Sequence, residues 1–269
     1  MLYFVGTPIG NMSDISKRAI ETLSSVDLIC CEDTRHSLKL LNFYSIKKQL
    51  ISFHKFNETK EVENIISLLN EGKNIAVISD AGMPIISDPG NILSKTLRER
   101  GINYTVIPSG TAFVSALILS GLNAEKFAFI GFLPEKKIAR EKLLNAKKSY
   151  EETLIFYSAP HDVNKDLKEL YDAFGDRKVA VVKEITKIHE SVYLSTLKNA
   201  QIDEPKGEFV IVVEGNQSQG EQDDKFSLLS IEEHINLYIS RGMSKKDALK
   251  QVAKERGISK NELYKYTIN

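Results

Sequence analysis

Ile75-Ala76-Val77-Ile78-Ser79 runs straight into Asp80-Ala81-Gly82-Met83-Pro84-Ile85-Ile86-Ser87-Asp88-Pro89-Gly90, and the reading of this stretch decides the fold class. The first part is a strand pattern without polar alternation. Such runs suit a parallel strand covered on both faces, because crossover helices pack on either side of the sheet. The second part is a loop of twelve residues, counted from Ser79, with two Asp, two Pro and two Gly. An ordinary connection between strand and helix needs about 2–6 residues. Ordered loops longer than that are commonly functional, and open α/β sheets bind ligands at the carboxyl ends of their strands.

The same rhythm extends outward. Leu2-Tyr3-Phe4-Val5 reads as a strand ending in the turn Gly6-Thr7-Pro8-Ile9-Gly10-Asn11. A helix is expected from about Ser13 as N-cap, carrying Ile15, Ala19, Ile20 and Leu23 on one stripe. Leu28-Ile29-Cys30-Cys31 is the next strand, and Val62, Ile65, Ile66 and Leu69 mark another helix. Tyr104-Thr105-Val106-Ile107 leads into Pro108-Ser109-Gly110-Thr111-Ala112 and a small-residue helix. Strand alternating with helix predicts a mostly parallel sheet.

The second half differs. Phe127 to Phe132 and Thr153 to Tyr157 are strands around a basic helix from Ile138 to Lys148, and a helix from His161 to Phe174 follows. Val179 to Val182, Ser191 to Leu194 and Phe209 to Val213 have connections too short for crossover helices, so they pair antiparallel. The expected organisation is an α/β lobe over 1–122, a second α/β lobe over 123–214 with a mixed sheet, a linker over 215–227, and a helical module over 228–269. In that module, Ala253, Gly257, Ile258, Ser259 and Leu263 have helix-turn-helix spacing, with a last helix from Lys260 to Tyr266.

Composition excludes other classes. The 269 residues are 42% hydrophobic and 27% charged, as in a globular protein and not a disordered one. Cys30 and Cys31 are the only cysteines. On a strand their side chains point to opposite faces, so they form neither a disulfide framework nor a metal site and read as buried fillers of a protein from a reducing, cytoplasmic compartment. The most apolar window, Ala112 to Leu122, is half the length of a membrane span. There is no GxGxxG and no P-loop pattern, which argues against a dinucleotide Rossmann site and an NTPase.

Lys+Arg and Asp+Glu both number 36, a net charge of zero. The balance hides an asymmetry: from 241 to 265 there are eight Lys/Arg against three Asp/Glu, so that segment carries +5 and the rest −5. A basic helical module fits attraction to a phosphate backbone, and a solvated docking tail fits it as well. The helix bearing Lys136, Lys137, Arg140, Lys142, Lys147 and Lys148 is open to the same two readings.

Several motifs together carry a resemblance. Gly6 to Asn11, Cys31-Glu32-Asp33-Thr34-Arg35-His36, the loop from Ser79 to Gly90, Pro108-Ser109-Gly110, Gly131-Phe132-Leu133-Pro134, Tyr157-Ser158-Ala159-Pro160-His161 and Lys183-Glu184-Ile185-Thr186-Lys187-Ile188-His189-Glu190 are similar to the tetrapyrrole methylase superfamily. Within it, the chain resembles members that act on ribosomal RNA, over essentially its whole length. Met83 departs from the small polar residue expected there, a change expected to touch loop packing alone.

The resemblance implies a two-lobed fold with S-adenosylmethionine folded in the cleft between the lobes. Its contacts would be Pro8, Asp80, Gly82, Ile85, Thr111 and Ala112 from the first lobe. From the second they would be Ser158, Ala159, Pro160, Gly207 and Glu208. It also implies a homodimer and methylation of a cytidine ribose 2′-hydroxyl in the decoding region of 16S ribosomal RNA, with the small ribosomal subunit as partner and no DNA. Lys183 and Glu184 are the candidates for removing the hydroxyl proton or orienting that removal. Glu32, Asp33, Arg35, His36, Thr186, His189 and Glu190 are candidates for holding the RNA. For the cluster at Glu32, a solvated helix N-terminus capped by Asp33 is the competing reading; for the cluster at Lys183, it is a charged surface turn. Two other functions compete: methylation of a small tetrapyrrole-like substrate, and nucleic-acid binding without catalysis.

Overall fold

The computed structural model describes residues 1–217 and 229–256. The chain divides into two compact units, Met1–Gly215 and Asn216–Asn269.

In the first unit, β1 (Leu2–Val5), β2 (Leu28–Cys31), β3 (Gln49–Ser52), β4 (Ile75–Val77) and β5 (Tyr104–Ile107) form an all-parallel sheet in the order β3-β2-β4-β1-β5. α1 (Lys17–Ser25) and α2 (Thr34–Phe43) cover one face; α3 (Glu58–Asn70) and α4 (Asn91–Glu99) cover the other. Burial on both faces explains the unalternating β2 and β4. Cys30 packs with Val62, Ile65 and Leu93, whereas Cys31 packs on the opposite face with Ala19, Leu23 and Leu41.

A second five-stranded sheet follows in the same unit: β6 (Phe127–Phe132), β7 (Thr153–Ser158), β8 (Lys178–Lys183), β9 (Ser191–Thr196) and β10 (Phe209–Val213), ordered β6-β7-β10-β8-β9. β6 and β7 are parallel, while β10 runs antiparallel to both β7 and β8, and β9 antiparallel to β8. α6 (Lys137–Lys147) and α7 (Val163–Phe174) pack on one face through Leu144, Leu167 and Leu170. The other face is covered by α5 (Ala112–Ser120), whose Ala116 and Leu117 meet Ile155, Ala180 and Val210. α5 thus belongs by sequence to the β1–β5 segment and by packing to the second sheet.

The second unit contains α8 (Ile231–Ser240) and α9 (Lys245–Glu255). Ser230 and Glu233 form a reciprocal capping box, and Ser244 caps α9 through the Asp247 amide. Ile235, Ala248, Leu249 and Val252 make its small core, with Ala253 packed against it. The expected linker beyond 217, the turn at Gly257, the residues Ile258, Ser259 and Leu263, and the helix from Lys260 to Tyr266 lie outside the described residues.

Two differences from the sequence reading concern boundaries, and a third concerns whole elements. Ser16, not Ser13, caps α1, accepting from the Ala19 amide at 3.1 Å; Ser13 sits in a separate turn over Met12–Asp14 capped by Asn11. β4 stops at Val77, which leaves Ile78 and Ser79 to the loop. α2, β3 and α4 carried no periodic signal strong enough to place them.

Candidate functional site

Two turns are sewn together where β1 and β4 end. The Thr7 amide donates to the Gly82 carbonyl at 2.8 Å and the Gly82 amide returns to the Thr7 carbonyl at 3.1 Å. The buried Thr7 hydroxyl donates to the Ser79 carbonyl, and Ser109 donates from its hydroxyl to the Thr7 carbonyl. The Met83 thioether accepts from the Ser109 amide at 3.2 Å. Met83 also lines the cleft, so its departure from the family pattern reaches beyond loop packing. Further along, Ile85 and Ser87 hold φ of 77° and 69°, a region that L-residues avoid and that clusters at functional sites. The buried Glu58 carboxylate clamps the loop's exit by accepting from the Gly90 and Ile92 amides at 3.0 and 2.9 Å.

The second sheet brings its edge to the same place. Phe209 pairs with Ser158 on one side and Lys183 on the other. The carboxyl ends of β7 and β8 and the amino end of β10 therefore share one rim, which sets Ser158-Ala159-Pro160 beside Glu208. Ser158 is fixed from behind: its hydroxyl donates to Asp166 at 2.6 Å, and Asp166 receives Arg140 at 2.9 Å. Arg140 also reaches Glu169 and the Pro134 carbonyl. Only 6% of Arg140 is exposed, so it is an internal tie and leaves the basic surface expected of α6.

Between the sheets lies a cleft of about 450 Å³, within the size range of small-molecule sites. The structure brings together Asp80, Gly82, Thr111, Ala112, Ser158, Ala159, Pro160 and Glu208 on its wall, and adds Ile9, Asp88, Phe132, Tyr157 and Val210. Pro8, Ile85 and Gly207 are not on the wall; Ile85 packs instead against the first core. Gly207 has a different use. At φ 89° it faces Glu184, and a Cβ there would stand 2.5 Å from Oε1, so the glycine makes room for that carboxylate.

Three of the cleft's carboxyl groups, Glu32, Asp80 and Asp88, come from the first sheet's loops. Burial, and then the nearby Glu32 and Asp80, push Asp88 up to about 7. Burial and Asp80 also raise Glu32 above the usual carboxylate range. Tyr157 is pushed up to about 12, mainly by burial, so its phenol stays protonated and can donate. It stands edge-on to Phe129 and Phe132 with centroids 4.9 and 5.5 Å away. The wall thus offers apolar surface, backbone groups and concentrated negative charge, a lining suited to a partly aromatic ligand with positive charge.

Lys183 and Glu184 do not line this cleft. Glu184 accepts from Lys187 Nζ at 3.0 Å and from the Glu208 amide at 2.9 Å. Burial opposes the charge on Glu184, but these two hydrogen bonds prevail and hold the carboxyl below its usual range. Lys183 lies 5.9 Å over the Phe209 ring. Thr186, at φ 65°, accepts from the Asn11 amide and donates its own amide to Glu190. Gly10 lies so close beneath this turn that a Cβ would come within 2.7 Å of Thr186 and Lys187. The turn is a built joint between the lobes. His189 is exposed.

In the first charged cluster, Glu32 lines the cleft. Asp33 caps α2 through the Arg35 amide at 2.8 Å and pairs with the Arg35 guanidinium at 3.1 Å; His36 is exposed. Capping and placement beside the cleft are therefore combined here.

The comparisons with known proteins fit this architecture. The family model described as Tetrapyrrole (Corrin/Porphyrin) Methylases matches residues 1–201. A protein named ribosomal RNA small subunit methyltransferase I, from Bacillus subtilis (strain 168), is 42% identical over 98% of this chain and 92% of its own length. A protein of the same name from Thermotoga maritima is also 42% identical, over 80% of this chain and 99% of its own length. Among solved structures, the uroporphyrin-III-C-methyltransferase of Thermus thermophilus is similar with a TM-score of 0.57 at 20% identity, covering 78% of this chain and 93% of that one, a likeness of fold.

Proposed function

Since the chain belongs to the tetrapyrrole methylases and is an S-adenosylmethionine-dependent methyltransferase, we propose that it methylates the ribose 2′-hydroxyl of a cytidine in the decoding region of 16S ribosomal RNA. The RNA reading is supported by the names of relatives that match nearly the full chain. The cleft itself carries the donor reading. Glu32 and Asp80 complement a sulfonium and an ammonium, and Gly82 and Ala112 allow close backbone approach. Tyr157, Phe132 and Val210 offer apolar cover to a nucleoside.

When bound, S-adenosylmethionine supplies an electrophilic methyl on positively charged sulfur. Asp88 takes the proton from the attacking hydroxyl, as a partly buried carboxyl near neutrality is suited to do. Glu184 is a positioning residue: it fixes the Glu208 backbone through the amide. Phe132 and Tyr157 exclude water from the reacting atoms.

The basic segment around α9 adds nonspecific attraction to the RNA backbone. Removing 223–269 weakens RNA binding, most at low salt, and leaves donor affinity intact. The proposed assembly is a homodimer acting in the cytoplasm, supported by apolar side chains that α5 and β9 leave exposed: Val114, Ile118, Leu119, Val192 and Leu194. Sedimentation at micromolar concentration reads that state directly, and a monomer there refutes it.

The deciding experiment incubates the protein with methyl-labelled donor and small ribosomal subunits from a strain lacking this enzyme, then maps label by mass spectrometry of the RNA. Label on one cytidine ribose is expected; unlabelled RNA overturns the reading. Label on an added uroporphyrinogen instead would favour the small tetrapyrrole substrate.

A further inference from the structure

A second hollow, about 440 Å³, opens beside the cleft and shares Glu32 with it. Its other lining residues are Asp33, Thr34, Arg35, Ser52, His54, Lys55 and Phe56. The shared wall is tied further by the Asp33 amide, which donates to Asp80 Oδ1 at 3.4 Å. Whatever leaves the cleft on this side therefore meets this hollow.

Phe56 is its outstanding member. It is 96% exposed, although a phenyl ring left in water forgoes the free energy of burial. The ring is held on a built turn. Phe53, 1% exposed, anchors the chain in the first core. Asn57 closes the turn from both ends: its side chain accepts from the His54 amide at 2.8 Å and donates to the Ser52 carbonyl at 2.9 Å. The His54 ring stands 6.1 Å from the Phe56 ring, tilted by 64°, and its Nδ1 is buried with no hydrogen-bond partner among the described residues. Lys55 is exposed, and so is the Arg35 side chain, whose guanidinium Asp33 orients.

We propose that this hollow is a subsite for a nucleotide flanking the methylated one, with its base stacked on Phe56 and its phosphates met by Arg35 and Lys55. An exposed aromatic beside cations is the combination that single-stranded RNA uses, since every base has a flat face and every linkage a negative charge. A small substrate held wholly inside the cleft has no use for such a platform. The inference rests on the RNA reading above and names how the substrate is gripped outside the cleft.

The test uses the full chain, methyl-labelled donor and unmodified small subunits, with Phe56→Ala, Phe56→Leu and Phe56→Trp. The Ala and Leu variants should raise KM for subunits by about 5- to 150-fold, with donor Kd, melting temperature and kcat at saturating subunits unchanged. Phe56→Trp should restore KM, because it restores a stacking face. The chain contains no tryptophan, so with protein-free RNA the new indole reports alone, and its emission should be quenched by small-subunit RNA and by single-stranded oligocytidine. Wild-type labelling with an unchanged KM in Phe56→Ala overturns the subsite and leaves the RNA reading standing. Absence of labelling by the wild type overturns both. An indole left unquenched by saturating small-subunit RNA and by saturating oligocytidine refutes base stacking.

Discussion

In the all-parallel sheet every strand turns its carboxyl end toward the cleft, so the wall it contributes is made of consecutive loops after β1, β2, β4 and β5. In the mixed sheet the wall comes from carboxyl ends at β6 and β7 but from an amino end at β10, brought level by antiparallel pairing. The first sheet supplies the clustered carboxylates Glu32, Asp80 and Asp88, with strained, tightly sewn loops around them. The second supplies a backbone rim, kept in place by ion pairs behind it: Arg140–Asp166 under Ser158, and Lys187–Glu184 beside Glu208. On the proposed mechanism one half of the cleft is reactive, and the other is a frame.

The strongest way to break that division is Asp88→Asn. Without the proton acceptor, kcat should fall by about 10²–10⁴-fold while donor affinity changes little, measured by single-turnover methyl transfer and calorimetry. In the wild type kcat/KM should rise with pH through about 7, as Asp88 loses its proton, and that limb should vanish in the variant. A comparable loss from Glu184→Gln would mean that the frame carries the chemistry.

Next in size is Arg140→Met. Removing one partner of a buried pair leaves Asp166 uncompensated and should cost about 3–5 kcal/mol, read by urea denaturation. The added change Asp166→Leu should recover part of it, since an apolar pair needs no compensation. Gly207→Ala comes third: a positive φ and a Cβ crowding Glu184 predict a loss of about 1–3 kcal/mol, with a higher donor Kd as Glu208 shifts.

The smallest effect sharpens the comparison most. Asp88 is protonated more readily in the folded protein than in the unfolded chain. It therefore costs no stability below the ordinary carboxylate pKa near 3.8, and the cost grows until pH passes about 7. Asp88→Asn should raise stability at pH 8 by roughly 1–2 kcal/mol, discounted for its partial exposure, and change little near pH 4. The reactive half should thus become more stable as it loses activity, which no substitution in the frame should do.

How much of this could be read in the sequence follows the same division. The loop after β4 announced itself by length and by its Asp, Pro and Gly, and most of the first-lobe wall followed from it. Asp88 was visible as one of the two Asp of that loop, but its proximity to Glu32 exists only once β2 and β4 are paired. Glu208 and Gly207 came from resemblance alone, because the amino end of an antiparallel strand has no local mark. Lys183 and Glu184 stand out in the sequence because charge follows an apolar strand; their contacts with Lys187, Glu208 and Phe209, off the cleft wall, exist only in the fold. Phe56 went unnoticed because a lone aromatic in a polar turn has no period, and only its exposure singles it out.

The two adjacent thiols have a practical consequence. Cys30 and Cys31 are fully buried and face opposite helical layers of one strand, so an alkylating reagent reaches each only when its own layer lifts. Pulse alkylation followed by peptide mapping would time the peeling of the α3–α4 layer against that of the α1–α2 layer within a single molecule. The chain carries, without any added label, a pair of stopwatches set on either side of its central sheet.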